Sequence, residues 1–215
     1  MQPFAIGIPT INQKDSLVPI LEHYLKDYPG IPIVVLDNGN QDLPLMEGIH
    51  IHESFQNKGV AGSWNYLLYN IYKDHSDTAI ILNDDIYLGR PARMKQLLSL
   101  TRHGFLLNLE HSYAFLLTKY CFYRVGEFDE AFYPAYYEDN DYAYRYSLLY
   151  HTSPKRTVLL EPQFARNSAS IASNPRLNDR FAANRQRYIE KWGGLPGHER
   201  YTTPFNKPKE ATSDF

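Results

Sequence analysis

Apolar residues recur at two different spacings along this chain, and the spacing switches from one segment to the next. Phe4-Ala5-Ile6-Gly7-Ile8 is an unbroken apolar run closed by Pro9-Thr10, which predicts a buried strand ending in a turn. From Asp15 or Ser16, Leu17, Ile20, Leu21, Tyr24 and Leu25 fall on one helical stripe, with Pro19 in the first turn and Pro29-Gly30 as the stop. Ile31 to Leu36 predicts a second strand running into Asp37-Asn38-Gly39, and Ile49 to His52 a weaker third. Ala61 to Tyr72 reads as a helix with Trp64, Leu67, Leu68 and Ile71 on one side. Ala79-Ile80-Ile81-Leu82 is a fully apolar fourth strand, therefore central, and it delivers Asn83-Asp84-Asp85.

Strands that alternate with helices and end in polar residues predict an α/β fold, a mostly parallel sheet flanked by helices. Ligands of such sheets bind outside the carboxyl ends of the strands, and here those ends carry Thr10, Asp37 and Asp84-Asp85. The second half is less regular. Phe105 to Leu109, Tyr113 to Leu117 and Val158 to Glu161 read as strands, and Glu138 to Tyr150 as a helix with an acidic start. Asn178 to Trp192 reads as a basic helix ended by Gly193-Gly194, followed by a strap from Pro196 onward. No repeat, low-complexity tract or linker interrupts the chain, so a single domain over 1–215 is expected.

At 43% hydrophobic and 21% charged, 215 residues suit one domain of ordinary core size. The 18 tyrosines supply rings with a hydroxyl tip, useful against sugars and nucleobases. Cys121 stands alone, which excludes an intramolecular disulfide, and its mixed apolar and aromatic setting predicts a small buried residue. No signal-peptide pattern and no apolar run of roughly 18 residues is present, so no membrane span and a cytoplasmic, reducing compartment are expected. Charge is uneven. Residues 1–149 hold 11 Lys and Arg against 18 Asp and Glu, while residues 150–215 hold 11 against 6. An acidic front suits a cation, and a basic tail suits an anionic ligand.

Three segments carry candidate chemistry. Asp84 and Asp85, adjacent carboxylates after a buried strand, are costly unless a cation or a partner neutralises them; Mg²⁺ or Mn²⁺ would, with phosphate oxygens completing the shell. Glu138, Asp139 and Asp141 crowd the start of one helix, where only Arg145 follows at helical spacing. An acidic helix start can answer the dipole, or it can supply a general base for a hydroxyl. Asn57-Lys58-Gly59-Val60-Ala61-Gly62-Ser63-Trp64-Asn65 is a glycine-containing helix start whose N–H groups could approach an anion.

Taken in order, these segments resemble glycosyltransferase family 2 and its GT-A relatives over roughly residues 4 to 165. Ile8-Pro9-Thr10-Ile11-Asn12 is similar to that family's opening strand and turn, and Val35-Leu36-Asp37-Asn38-Gly39 to its second strand. Asn57-Lys58-Gly59 with Ala61-Gly62 and Asn65 resembles its N-x-G segment, and Leu82-Asn83-Asp84-Asp85 sits at its DxD-like metal motif. Val125 to Glu130, then Tyr137-Glu138-Asp139-Asn140-Asp141 with Arg145, resemble its G-G-F-D-E and E-D-x-D blocks, although Glu127 replaces the second glycine.

The resemblance implies inverting transfer from a nucleoside-diphosphate sugar, UDP favoured, to an acceptor hydroxyl on a glycan, glycoconjugate or modified nucleic-acid base. Residues 1–86 would be the nucleotide-binding half, 87–165 the acceptor half and 166–215 a C-terminal helix and strap. Pro9, Thr10, Asn12, Asp37, Asn38, Asn57, Lys58, Gly59, Asn65 and Asn83 would line the donor site, with Asp84 and Asp85 binding the Mn²⁺ or Mg²⁺ beside it. Asp139 would be the base, with Glu138 and Asp141 as substitutes. Relatives often add a histidine ligand after the last strand; here Arg166-Asn167-Ser168 stands instead. A water, Asn167, Arg166 or His198 could take that place. Arg176, Arg180, Arg185 and Arg187 could greet an anionic polysaccharide or DNA, as in viral enzymes that glycosylate their own genome, and Arg180, Arg187 and Lys191 fall close to one helical face. Trp192 could stack on a sugar or close its helix onto the core. The rival readings are a nucleotidyltransferase, which would more often show a glycine-rich loop after the first strand, and a catalytically inactive nucleotide- or carbohydrate-binding module.

Overall fold

A computed structural model describes residues 3–88, 98–99, 104–108, 114–157 and 179–207. Its strands are β1 (Ala5–Thr10), β2 (Ile33–Asp37), β3 (Ile49–Glu53), β4 (Thr78–Leu82), β5 (Phe105–Asn108), β6 (Ala114–Thr118) and β7 (Lys155–Thr157). Its helices are α1 (Lys14–Asp27), α2 (Gly59–Asp74), α3 (Lys119–Val125), α4 (Glu138–Tyr150) and α5 (Phe181–Trp192). The strands form one sheet in the order β3-β2-β1-β4-β6-β5-β7. β3, β2, β1 and β4 run parallel; β6 is antiparallel to both β4 and β5, and β7 pairs parallel with β5.

Two apolar layers cover the sheet. One face carries Ile6, Ile8, Val35, Ile80 and Leu82 against Leu17, Ile20, Leu21 and Tyr24 of α1. The other carries Val34, Leu36, Ile81 and Phe115 against Trp64, Leu67, Leu68 and Ile71 of α2, with Phe128 and Tyr142 beyond. Full burial of each such side chain contributes about 1.5–3 kcal/mol. This two-sided covering is why the inner strands β1, β2 and β4 are apolar along most of their length, while the edge strand β3 alternates with His50 and His52.

The predicted elements are present with small shifts. α1 begins at Lys14, which moves Pro19 into its second turn. α3 was not predicted; it is short, its apolar residues show no clear period, and the Thr118 hydroxyl caps it by accepting the Cys121 N–H at 3.3 Å. Cys121 is buried, as its surroundings suggested, and burial pushes its thiol up to about 12. The predicted strand Val158 to Glu161 lies outside the described residues. Among the described residues no helix is long and apolar enough to cross a membrane.

Candidate functional site

The carboxyl ends of the central strands place three polar side chains in a row. Thr10 is level with Asp37 across the β1–β2 pairing, and the β1–β4 register, Gly7 opposite Ile81, brings Thr10 level with Asp84 when extended by three residues. The Thr10 hydroxyl donates to Asp84 Oδ2 at 2.8 Å, and Asp84 and Asp85 are only 3% and 5% exposed. The turn after them is fixed from beneath. Tyr24 of α1 donates to the Ile86 carbonyl at 2.6 Å and accepts the Leu88 N–H at 3.1 Å. Burial drives the Tyr24 hydroxyl far above its ordinary pKa, so it remains a neutral donor. Pro9 and Asn83 flank the row, half-buried.

Asp37 is turned into its own loop. One oxygen accepts from the Gly39 N–H at 2.8 Å and the Gln41 side chain at 2.9 Å; the other accepts the Gln41 N–H at 2.7 Å. Gln41 also receives the Gln13 N–H on its side-chain oxygen, which ties the β2 loop to the start of α1. A cleft of about 360 Å³ opens here, lined by Asn12, Gln13, Lys14, Asp15, Ser16 and Gln41. Gln41, rather than Asp37, is therefore the β2-loop side chain that faces the cleft. Sequence reasoning passed over it because a glutamine in a polar loop has no pattern to mark it.

The glycine-containing start of α2 is engaged internally. The Lys58 N–H goes to Asn38 Oδ1 at 3.1 Å, the Gly59 N–H to Asn57 Oδ1 at 2.8 Å and the Val60 N–H to the Pro134 carbonyl at 2.8 Å. Gly59 has φ +67°, and a Cβ there would lie 2.8 Å from the Tyr133 ring and 2.9 Å from the Pro134 oxygen. Its glycine is thus required by a close chain crossing, and the expectation of an anion cradle at these three N–H groups is corrected. Asn65 is likewise committed: it exchanges hydrogen bonds with the backbone of Phe128 at 2.9 Å and donates to Glu130 at 3.0 Å. Asn38 donates to Ser63 at 2.9 Å.

The three carboxylates at the start of α4 have separate fates. Asp141 is fully buried and accepts from Trp192 Nε1 at 2.9 Å, Arg145 Nε at 2.8 Å and Lys191 Nζ at 2.5 Å. All its capacity is structural, so its reading as a substitute base is corrected; the partner that sequence spacing could not show is Lys191, fifty residues on. Glu138 is 5% exposed, and its Oε2 has no hydrogen-bond partner among the described residues. Burial, and then the charge of neighbouring Asp139, hold its carboxyl well above the usual range against the opposing pull of the Glu138 and Tyr136 N–H groups. Asp139 beside it is half-exposed. Tyr136 and Tyr137, with φ of 79° and 75°, deliver this turn in left-handed conformations.

A pH dependence follows. Glu138 binds its proton more tightly when folded, so the stability it contributes is fully present below its unfolded pKa and is lost as pH rises toward the folded value. Wild-type Tm is expected to fall as pH is raised from about 4.5 through neutrality, and Glu138→Gln to flatten that slope. Parallel Tm–pH curves for the two proteins would remove the assignment.

α5 packs inward. Lys191 is 6% exposed and pairs with Asp129 at 2.7 Å as well as with Asp141; Arg187 approaches Asp129 at 3.8 Å and covers the Phe132 ring. Burial raises the Asp129 pKa, but Lys191, the Ala131 N–H and Arg187 outweigh it and hold the carboxyl below its ordinary value. Asn184 donates to the carbonyls of Phe132 at 3.0 Å and Ala135 at 2.7 Å. Trp192 is buried with its indole on Asp141 and its ring edge-on to Tyr144. The expectation that Arg187 and Lys191 form an outward basic face is thereby corrected: both serve the loop between α3 and α4. Arg166, Asn167 and Arg176 lie outside the described residues.

Asp84 and Asp85 offer hard oxygen donors, the chemistry that Mg²⁺ and Mn²⁺ take. Among the described residues no group of three or more His, Cys, Asp or Glu could hold a metal ion, so His198 does not join this pair. The two carboxylates fit a cation that completes its shell with water and phosphate oxygens.

No protein-family model matches the sequence, and no curated protein matches it. Solved structures do match by fold. S. aureus TarS 1-349 aligns with a TM-score of 0.54 at 13% identity, over 74% of this chain and 58% of that one. A mannosyltransferase from Pyrobaculum calidifontis, in complex with GDP-Man and Mn²⁺, aligns at 0.59 and 14% identity over 91% and 66%. Glucosyl-3-phosphoglycerate synthase from Mycobacterium tuberculosis, with Mn²⁺, UDP and glucosyl-3-phosphoglycerate, aligns at 0.57 and 11% over 84% and 77%. A cytidylyltransferase is also among the neighbours. The chain thus spans less than two thirds of the first two, and its fold is that of the GT-A glycosyltransferases.

Proposed function

We propose that this GT-A domain transfers a sugar from a nucleoside diphosphate, UDP favoured, to an acceptor hydroxyl, with inversion and with the help of a divalent cation. The observation that carries the reading is the buried Asp84-Asp85 pair at the end of the central strand, tied to Thr10 at the end of its neighbour. Those carboxylates would hold the Mn²⁺ or Mg²⁺, which when bound supplies charge stabilisation to the departing diphosphate. The cleft of Asn12, Gln13, Lys14 and Gln41 lies one strand away and suits the nucleoside. Its amides and ammonium offer both donors and acceptors to a base and ribose.

Asp139 is the general base in this reading. Burial, and then the charge of Asp139 itself, hold the neighbouring Glu138 carboxyl well above the usual range, and such unequal pairs separate acid from base. Asp139 would accept the acceptor's hydroxyl proton as the oxygen attacks the anomeric carbon opposite the leaving diphosphate. The nucleotidyltransferase reading has the same fold and a neighbour in the cytidylyltransferase; it predicts release of diphosphate from a nucleoside triphosphate.

A thermal-shift screen of UDP, GDP, dTDP and CDP, each with Mn²⁺ and with EDTA, tests the donor site; no shift with any of them would favour an inactive binding module. Hydrolysis of the donor identified in this way needs no known acceptor. Asp139→Asn is expected to keep donor binding and to slow that turnover by roughly 10²-fold or more. Unchanged turnover would pass the role to Glu138.

A further inference from the structure

Beside the carboxylates at the start of α4 stands a cluster of rings at the edge of the core, where Tyr137 also packs against the buried Tyr188. Phe181, the first residue of α5, is 44% exposed. Its ring lies 5.1 Å from Tyr136, edge-on, and 5.6 Å from Tyr137. Both tyrosines are half-buried and stand in left-handed backbone conformations. Tyr136 also donates its N–H to the Glu138 carboxyl, so the aromatic group and the buried Glu138 Oε2, which has no hydrogen-bond partner among the described residues, belong to one turn.

We propose that Tyr136, Tyr137 and Phe181 form a shelf that seats the apolar face of a neutral sugar ring, the acceptor, with its hydroxyl directed at Asp139 beside the buried Glu138. The inference rests on the transferase reading for the word acceptor, but the shelf stands on its own geometry. A pyranose presents C–H groups on one face and hydroxyls around its edge. Aromatic faces match the first, and the half-exposed carboxylate of Asp139 matches the second. Nucleobases stack on aromatic rings too, but a nucleic acid needs cations along its backbone. Here two carboxylates share the turn, while Lys191 and Arg187 are spent on Asp129. Arg180, just before α5, and Arg185 on it are exposed, and a polyanion held through them is the outcome that the hexathymidylate below reads.

Saturation-transfer NMR on the full chain tests this with methyl β-glucoside, cellobiose and N,N′-diacetylchitobiose, and with a hexathymidylate. Transfer to the ring C–H protons of at least one saccharide is expected, weakened about fivefold in Phe181→Ala. Phe181→Leu, which keeps the apolar bulk without the ring, should weaken it as well. No saccharide signal, an undiminished signal in both variants, or a signal with the hexathymidylate alone would overturn the proposal. Nucleotide stabilisation with Mn²⁺ is measured on the same samples. If saccharides bind and no nucleotide does, the shelf stands and the transferase reading falls; the converse removes only the shelf.

Discussion

Asp85→Asn is expected to abolish the stabilisation that a nucleoside diphosphate and Mn²⁺ give the wild-type protein. A ligand at 100 times its Kd stabilises the folded state by about 2.7 kcal/mol, roughly 5–10 °C in Tm for a domain of this size. That whole increment depends on the cation if Asp85 holds it, because the diphosphate otherwise meets two buried carboxylates. The same substitution should leave the ligand-free Tm unchanged or raise it. Asn fills the same space, the Thr10–Asp84 hydrogen bond is untouched, and one of two adjacent buried charges disappears. The two readouts together separate a cation site from a structural carboxylate. A variant still stabilised by UDP with Mn²⁺ would sink the metal assignment. A variant that loses stability without ligand would show that Asp85 serves the fold.

The row of polar strand ends was legible because parallel strands covered on both faces are largely apolar, and because polar residues at their ends are then conspicuous. Thr10, Asp37 and Asp84 could be placed on one edge before any coordinates, and the register aligns them. What the sequence hid was which polar side chains serve the chain itself. Asn65, Gly59 and Asp141 all stood in segments that resemble functional motifs, yet each is committed to a partner distant in sequence: Phe128, Pro134 and Lys191. Helical spacing reveals neighbours three or four residues away and nothing beyond. The basic stripe of α5 misled for the same reason. Its charge pattern resembles a solvated or ligand-binding face, while its carboxylate partners, Asp129 on a loop and Asp141 on α4, lie some fifty to sixty residues earlier. Gln41 was missed from the opposite side, since it acts through an amide in a loop without periodicity.

Lys191→Met should be the most damaging single substitution away from the donor site. The ammonium lies between Asp129 and Asp141, with side-chain exposures of 7%, 24% and 0% in that order. Met matches the length of the stem and keeps its packing over Phe132 and Trp192. It leaves Asp141 to Arg145 and the Trp192 indole, and Asp129 to a longer contact with Arg187. Removing one member of a buried ion pair costs about 3–5 kcal/mol, because the remaining charge stays buried without compensation. The loss should appear as a lowered denaturant midpoint with an unchanged m-value if the domain still unfolds as one unit. α5 holds the loop before α4 through Asn184 as well, so the damage should spread to the start of α4, where Asp139 stands. Asp139-dependent turnover should fall while nucleotide stabilisation with Mn²⁺ persists, since the donor row at Thr10 and Asp84 has no contact with Lys191. Adding Asp129→Asn to Lys191→Met should recover part of the lost stability, because the uncompensated charge goes with it. A double variant no more stable than the single one would mean that Asp141, the more deeply buried carboxylate, accounts for the loss.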